Sequence, residues 1–195
     1  MTLAPIILFV YNRPEHVHRS IESLLRNELA AQSELFIYAD AAKDETIVAP
    51  YFLQFMNDAL ETYKDCPEVG HIQACDFTHD PSLPDTFLIK WTGSWGWATW
   101  DRAWKKFNPN GKELLKQLEE RKLTRTFDFN GNYRFTRMLR RQIEGKNNSW
   151  AIRWNASLFL ADILSLNVGR SLVQNEGFDG SGTNCGGGGL YSSNL

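Results

Sequence analysis

Two apolar runs flank a helical pattern near the start of the chain. Residues 5–10 (PIILFV) and 34–39 (ELFIYA) consist mainly of Ile, Leu, Phe and Val, which is typical of strands buried on both faces of a parallel sheet. Between them, residues 14–26 begin with a proline and carry apolar side chains at helical spacing: Val17, Ile21, Leu24 and Leu25. The pattern therefore predicts a β-α-β unit with a right-handed crossover and parallel strands.

The remaining chain continues with helical and strand-like segments. Apolar stripes predict helices over residues 49–63, 112–122, 132–144 and 150–161, with Gly145 as the C-cap of the third. Shorter apolar segments predict strands over residues 70–74, 86–91 and 171–174. Residues 177–195 are rich in Gly and Ser and predict a mobile tail. Because no repeat or linker divides the chain, one α/β domain over residues 1–195 is expected.

Composition narrows the class of protein. The 195 residues are 43% hydrophobic and 23% charged, as in an ordinary soluble domain. The formal net charge of −2 gives no general attraction to nucleic acid, so no nucleic-acid partner is expected. Three scattered Cys, the lack of a secretory leader and the lack of ~18 successive apolar residues favour a cytoplasmic protein without a transmembrane segment.

Polar and aromatic side chains follow the two opening apolar runs. Tyr11, Asn12 and Arg13 follow the first run, and Asp40 follows the second. Ligands of open α/β sheets bind beyond the carboxyl ends of the strands. There an aromatic ring can stack on a base, a carboxylate can accept hydrogen bonds from a base or ribose, and an arginine at a helix N-terminus suits a diphosphate. The alternative is that Asn12 only caps the helix and Asp40 only begins a turn.

Residues 91–104 (WTGSWGWATWDRAW) are the most aromatic segment of the chain. Trp95 and Trp97 could stack on sugar rings, and Gly96 between them would allow the backbone to approach a ligand closely. The alternative is an aromatic plug of the core. Arg153 lies between Trp150 and Trp154 in an otherwise apolar segment, so if it is buried it needs a carboxylate or diphosphate partner.

The combination of these segments resembles a known family. The runs PIILFVYNRPEHVHRSIESLL, SELFIYAD, APYFLQFMNDALETY, TGSWGWATWDRAW, NSWAIRW and SLVQNEGFDGSGT are similar to the inverting, GT-A-fold glycosyltransferases of family two, and most of all to the bacterial sugar transferases of polysaccharide gene clusters. They cover most of the chain. The resemblance implies a Rossmann-like, three-layer α/β/α fold with a mostly parallel central sheet.

The resemblance also implies an activity. Such enzymes move a sugar, with inversion, from a nucleotide diphosphate donor, here expected to be a UDP-sugar, to a hydroxyl of a glycan or lipid-linked acceptor. It places Trp95, Gly96, Trp97 and Arg153 near the sugar or acceptor, and the acceptor could bring the protein into peripheral contact with a membrane. The alternative function is a non-catalytic sugar-nucleotide or glycan-binding module derived from such an enzyme.

A metal site is implied where the chain departs most from the family. The resemblance places acidic ligands for Mn²⁺ or Mg²⁺ just before the helix at residues 49–63, which points to Asp44 and Glu45. A solvated charged turn is the alternative. Family members carry a further helix and strand before this motif, but here only a few residues follow Asp40. Two explanations are therefore open for residues 41–46: a deletion, in which case the domain lacks a central segment, or a gap in the sequence as given.

Two carboxylates are candidates for the base that an inverting transfer needs to deprotonate the acceptor hydroxyl. Asp128 is preferred, because it comes just before a predicted helix and its location resembles that of the base in related enzymes. Asp101 follows the tryptophan-rich segment and could instead pair with Arg102 or Lys105. For both, capping or solvating a helix start is the alternative role.

Overall fold

The computed structural model describes residues 3–10, 14–39, 46–78 and 80–175. These residues form a mixed α/β fold. The strands are β1 (Ile6–Val10), β2 (Leu35–Ala39), β3 (Thr46–Val48), β4 (Val69–Gln73), β5 (Thr86–Ile89), β6 (Trp97–Thr99), β7 (Leu164–Val168) and β8 (Val173–Asn175). The helices are α1 (Pro14–Leu25), α2 (Phe52–Thr62), α3 (Asp101–Trp104), α4 (Gly111–Glu120), α5 (Thr124–Phe127), α6 (Phe135–Ile143) and α7 (Trp150–Leu160).

The opening β-α-β unit is confirmed. β1 and β2 pair in parallel, with Ile6 opposite Leu35 and Val10 opposite Ala39. α1 begins at Pro14, whose fixed backbone angle and missing N–H suit the first turn of a helix. Both strands therefore end at the same edge of the sheet.

The prediction that the strands of this unit are buried on both faces is wrong. Ile6 and Leu8 pack against the main core, whereas Ile7 and Phe9 are about half exposed. On β2, Phe36 and Ile37 are exposed as well. The reason is that β1 and β2 pair only with each other among the described strands, so no sheet neighbour carries helices across their outer face.

The prediction of a mostly parallel central sheet is also wrong. The largest sheet has the order β5-β7-β4-β6, and only its central pair, β7 and β4, is parallel. β5 and β6 run antiparallel to that pair, and β3 pairs antiparallel with β8. β5 and β6 follow β4 through loops rather than through a crossover helix, and antiparallel pairs need no such crossover.

The apolar residues form two main cores. In the first, α2 packs with one face of the four-stranded sheet, through residues such as Phe52, Met56, Ile72 and Leu166. The second joins α4, α5, α6 and α7 through Leu118, Leu139 and neighbouring side chains. α7 therefore links the helical layer to the sheet, because its Trp154 belongs to a smaller cluster with Ala103 and Ile163.

Side chains and glycines fix the ends of the later helices. Asn110 accepts a hydrogen bond from the Glu113 N–H at the start of α4, and Ser149 accepts one from the Ile152 N–H at the start of α7. The C-cap of α6 is Glu144 rather than the predicted Gly145, which follows it with a φ of +71°, the left-handed position that commonly ends a helix. Within the described ranges, no helix is both long and apolar enough to cross a membrane.

Candidate functional site

The four-stranded sheet has one apolar and one polar buried face. Side chains alternate along β4, so Ile72 joins the first core while His71 and Gln73 face the other side. Ser165 and Asn167 of β7 lie opposite His71 and Gln73 in the parallel register. All four polar side chains are buried. Each of these side chains makes at least one hydrogen bond, which ties the polar face to the groups packed on it.

His71 connects this face to α7. Its Nδ1 accepts a hydrogen bond from the Trp154 indole N–H at 3.2 Å, so the neutral imidazole carries its proton on Nε2. The ring also stacks on Trp97, with centroids 5.2 Å apart. Burial lowers the pKa of His71 to about 3, against smaller opposing effects of hydrogen bonding to Gln73 and the Gly93 backbone. His71 is therefore neutral at physiological pH. Its Nδ1 is engaged by the Trp154 indole and so cannot exchange a proton with a substrate.

The buried His71 should make stability fall in acid. The folded pKa of about 3 lies below the unfolded value of 6.5, so the unfolded chain binds more protons between these two pH values. The free energy of unfolding should fall as the pH drops below 6.5, by ~1.4 kcal/mol per pH unit, which gives about 2 kcal/mol between pH 7 and pH 5. Urea unfolding of the protein at the two pH values measures this loss.

Two variants isolate the contribution of His71 to that pH dependence. His71→Asn keeps an oxygen that can accept from the Trp154 indole but does not titrate, so its loss between pH 7 and pH 5 should be smaller by about 2 kcal/mol. His18→Asn is the matched control, because His18 is exposed and pairs with Glu22 on α1. An equal pH dependence in the wild type and His71→Asn would contradict the assignment.

Gln73 holds the loop before β6. Its Nε2 donates to the Trp95 carbonyl at 3.3 Å and more weakly to the Cys75 carbonyl at 3.5 Å. Gly93 lies directly against the Gln73 amide, where a Cβ would come within 2.6 Å of it. The polar face thus positions the backbone of the tryptophan-rich segment.

Gly96 is required by the fold itself. Its φ is +56°, and a Cβ there would come within 2.3 Å of Val173 Cγ2. The close approach predicted for this glycine is therefore an approach to β8. Because the backbone turns at Gly96, Trp95 packs with Phe77 and the first core, while Trp97 packs with His71 and Trp154. The structure places the two predicted sugar-stacking rings in different environments.

Trp97 belongs to a cluster of three indoles that we call the tryptophan patch: Trp97, Trp104 and Trp150. Their ring centroids are 5.5 Å (Trp97–Trp150), 6.3 Å (Trp97–Trp104) and 6.4 Å (Trp104–Trp150) apart. The fully buried Trp154 lies against Trp97 and Trp104. Trp104 is 43% exposed and Trp150 is 37% exposed, so both indoles lie partly at the surface of the protein.

Arg153 lies beside this patch. Its Nη1 donates to the Pro109 carbonyl at 3.1 Å, and its guanidinium carbon is 5.9 Å from the centre of the Phe107 ring. Phe107 in turn stacks on Trp104 at 5.2 Å. In this contact Arg153 binds a backbone carbonyl, so no carboxylate balances the charge of its guanidinium.

The two candidate bases make different contacts. Asp128 Oδ1 accepts hydrogen bonds from the Thr136 N–H at 2.6 Å and from the Thr136 hydroxyl at 2.9 Å, which caps the first turn of α6. Asp101 is exposed and pairs with Lys105 at 2.5 Å. Arg102, the other predicted partner of Asp101, donates to the carbonyls of Tyr63, Cys66 and Val69.

The predicted nucleotide and metal residues lie outside the described parts of the chain: Tyr11, Asn12, Arg13, Asp40, Asp44 and Glu45. The expected gap near residues 41–46 and the tail at 177–195 fall outside them as well, apart from Thr46. Within the described ranges, no group of three His, Cys, Asp or Glu side chains is placed to hold a metal ion.

Comparisons of the sequence with models of protein families and with curated proteins found no match.

Sequence reasoning missed several residues of this region. His71, Gln73 and the β7 side chains were not singled out, and neither Trp104 nor Trp150 was chosen as a site residue. One signal was present in the sequence: both β4 (VGHIQ) and β7 (LSLNV) carry polar residues at alternate positions, which indicates a strand with one polar face.

Proposed function

We propose that the chain is an inverting glycosyltransferase of GT-A-like fold. It would move a sugar from a UDP-sugar to a hydroxyl group of a glycan or lipid-linked acceptor. The observation that carries the proposal is the register of β1 and β2. Val10 lies opposite Ala39, so the two strands end together, directly before residues 11–13 and Asp40 in the chain. The carboxyl ends of parallel strands are where α/β folds bind nucleotides.

The nucleotide would bind at this edge, where β1 and β2 end. In the proposal, Tyr11 stacks on the base and Asp40 accepts hydrogen bonds from the base or ribose. Arg13 and the free N–H groups at the start of α1 face the diphosphate. Asn12 lies between these groups in the chain and contributes to the same edge.

The transfer step needs one base. Asp128 would take the proton of the acceptor hydroxyl. The acceptor oxygen would then attack the anomeric carbon of the sugar while the bond from that carbon to the diphosphate breaks, which inverts the configuration at the carbon. Mn²⁺ or Mg²⁺ held by Asp44 and Glu45 would supply charge neutralisation for the leaving diphosphate. Trp97, which the buried polar face holds in position, would line the sugar pocket.

A binding module without catalysis is the second candidate. It is favoured by the contacts of the two candidate bases, since Asp128 caps α6 and Asp101 pairs with Lys105. Such a module would bind UDP or a glycan and would never release UDP from a UDP-sugar. A module that binds UDP shares the nucleotide site with the transferase and differs from it in turnover, whereas a module that binds only a glycan would lack UDP binding as well.

Replacing Asp40 should weaken nucleotide binding. Asp40→Ala removes hydrogen bonds to a charged acceptor, which are worth about 1–3 kcal/mol, so the Kd for UDP should rise roughly 5- to 150-fold. Isothermal titration of UDP in the presence of Mn²⁺ measures this change.

Glu34→Ala is the matched control for that experiment. Glu34 directly precedes β2, at the opposite end of the strand from Asp40. A strand of this length separates the two carboxylates by roughly 20 Å. Glu34→Ala should therefore bind UDP like the wild type. Equal affinities of Asp40→Ala and the wild type would remove Asp40 from the site.

A further inference from the structure

Positive charge is concentrated in one segment of the chain. Residues 121–146 contain eight of the 21 Lys and Arg residues but only two of the 23 acidic residues. The formal charge of this segment is therefore +6, whereas the remaining residues together carry −8. A separation of charge on this scale orients a protein toward a negatively charged surface when the positive side chains share one face.

Three arginines of this segment share the outer face of α6. The inner face is fixed by Thr136 and Leu139, which are buried, and Leu139 belongs to the second core. Arg134, Arg137 and Arg141 are exposed and lie three and four positions apart, which places them together on the opposite side of the helix. We call these three residues the arginine row.

The arginine row forms no ion pair with the described residues. Its basic neighbours do: Arg140 pairs with Glu119 at 2.9 Å, and Lys146 pairs with Glu144 at 2.7 Å. Arg137 also lies in the first turn of α6, where the helix dipole disfavours a cation. The stability of the helix therefore does not account for the row.

The shape of the row indicates the kind of ligand. Guanidinium groups bind phosphate oxygens through paired N–H donors. From Arg134 to Arg141 the helix rises by roughly 10 Å, so the side chains spread over neighbouring phosphates instead of converging on one. Met138 adjoins the row on α6 and is 38% exposed, and Tyr133 directly precedes the row and is 42% exposed. Partly apolar side chains of this kind suit the boundary between lipid headgroups and acyl chains.

We propose that the arginine row docks the protein on a membrane surface rich in anionic phospholipids, with its guanidinium groups on the lipid phosphates. The contact is made by the protein itself, so it depends neither on the proposed transferase activity nor on a lipid-linked acceptor. Nucleic acid carries phosphates too, but it offers no apolar layer to Met138 beside the row.

Co-sedimentation of the full chain with vesicles tests this contact. One set of vesicles contains phosphatidylcholine alone, and the other contains equal parts of phosphatidylcholine and phosphatidylglycerol. The chain should bind only the anionic vesicles, and the binding should weaken as the salt concentration rises. Arg134→Gln, Arg137→Gln and Arg141→Gln combined should weaken it on the order of 100-fold, at about fivefold per arginine.

Two further variants keep the result from depending on net charge or folding. Arg26→Gln, Lys106→Gln and Arg170→Gln combined are the matched control, because they remove three exposed charges outside residues 121–146. This control should bind within about threefold of the wild type. Replacing the row by Arg134→Lys, Arg137→Lys and Arg141→Lys keeps its charge and should retain most of the binding. Circular dichroism shows that each variant is folded.

Four results would overturn the proposal. The first is a lack of binding to the anionic vesicles, and the second is an equal loss in the glutamine variant of the row and in the control. Tighter binding to duplex DNA than to the anionic vesicles would instead make the row a nucleic-acid surface. Release from the vesicles by inorganic phosphate, but not by chloride at equal ionic strength, would assign the row to a soluble phosphate ligand.

Discussion

Trp154→Ala is expected to lower the free energy of unfolding by about 3–5 kcal/mol, the range for removing a large buried aromatic side chain. Trp154 is fully buried and packs against Trp97, Trp104 and Phe107. Its loss would leave a cavity under the tryptophan patch and would remove the donor to His71 Nδ1. Because a domain is stable by only about 5–15 kcal/mol, this loss removes a large share of the stability of the protein.

Urea unfolding followed by far-ultraviolet circular dichroism measures this effect independently of indole fluorescence. Trp154→Phe keeps most of the packing but loses the indole N–H, so its cost should be about 1–3 kcal/mol. Tyr51→Ala, at an exposed site, should change stability by less than about 0.5 kcal/mol. A loss below 1 kcal/mol in Trp154→Ala would show that α7 does not depend on this packing.

Asp128→Asn is expected to reduce turnover at least ~100-fold while donor binding survives, because an amide cannot accept the proton of the acceptor hydroxyl. The substitution separates the two roles of Asp128. Asparagine keeps an oxygen at the position that accepts from the Thr136 N–H and hydroxyl, so the cap of α6 is retained. If Asp128 only caps the helix, Asp128→Asn should turn over like the wild type.

The rate of UDP release and the Kd for the donor are the two quantities to compare for this variant. Asp58→Asn is the control, because Asp58 is an exposed residue of α2 that is not a candidate base, and its turnover should stay within about twofold of the wild type. Near-normal turnover in Asp128→Asn would rule out Asp128 as the base. A large loss in Asp101→Asn instead would transfer the role to Asp101.

The sequence predicted the parts of the fold that are encoded locally. The β1-α1-β2 unit follows from two apolar runs and an intervening helical stripe, and the ends of α4, α6 and α7 fall close to their predicted positions. β7 was missed because its Ser165 and Asn167 alternate with apolar residues yet are buried. The alternation indicates a strand, but polar residues at such positions normally indicate a solvent-facing side, so the pattern gave no reason to place β7 in the centre of the sheet.

The candidate site was predicted only in part, for similar reasons. Trp97 and Arg153 were singled out because of their neighbours in the chain, but the turn at Gly96 sends Trp95 to the other side of the sheet. The cap that Asp128 provides is formed with Thr136, eight positions later, and His71 meets Trp154 from a distant part of the sequence. Contacts of this kind depend on tertiary packing, which periodicity and spacing do not encode.

UDP release from UDP-glucose, UDP-galactose and UDP-N-acetylglucosamine, in the presence of Mn²⁺, tests the central claim most directly. If the chain is a glycosyltransferase, at least one donor should release UDP well above the rate without protein, with water or an added tetrasaccharide as the acceptor. Asp128→Asn should release UDP at least ~100-fold more slowly from the same donor. UDP binding without release from any of the three donors would contradict the account and would identify a binding module instead.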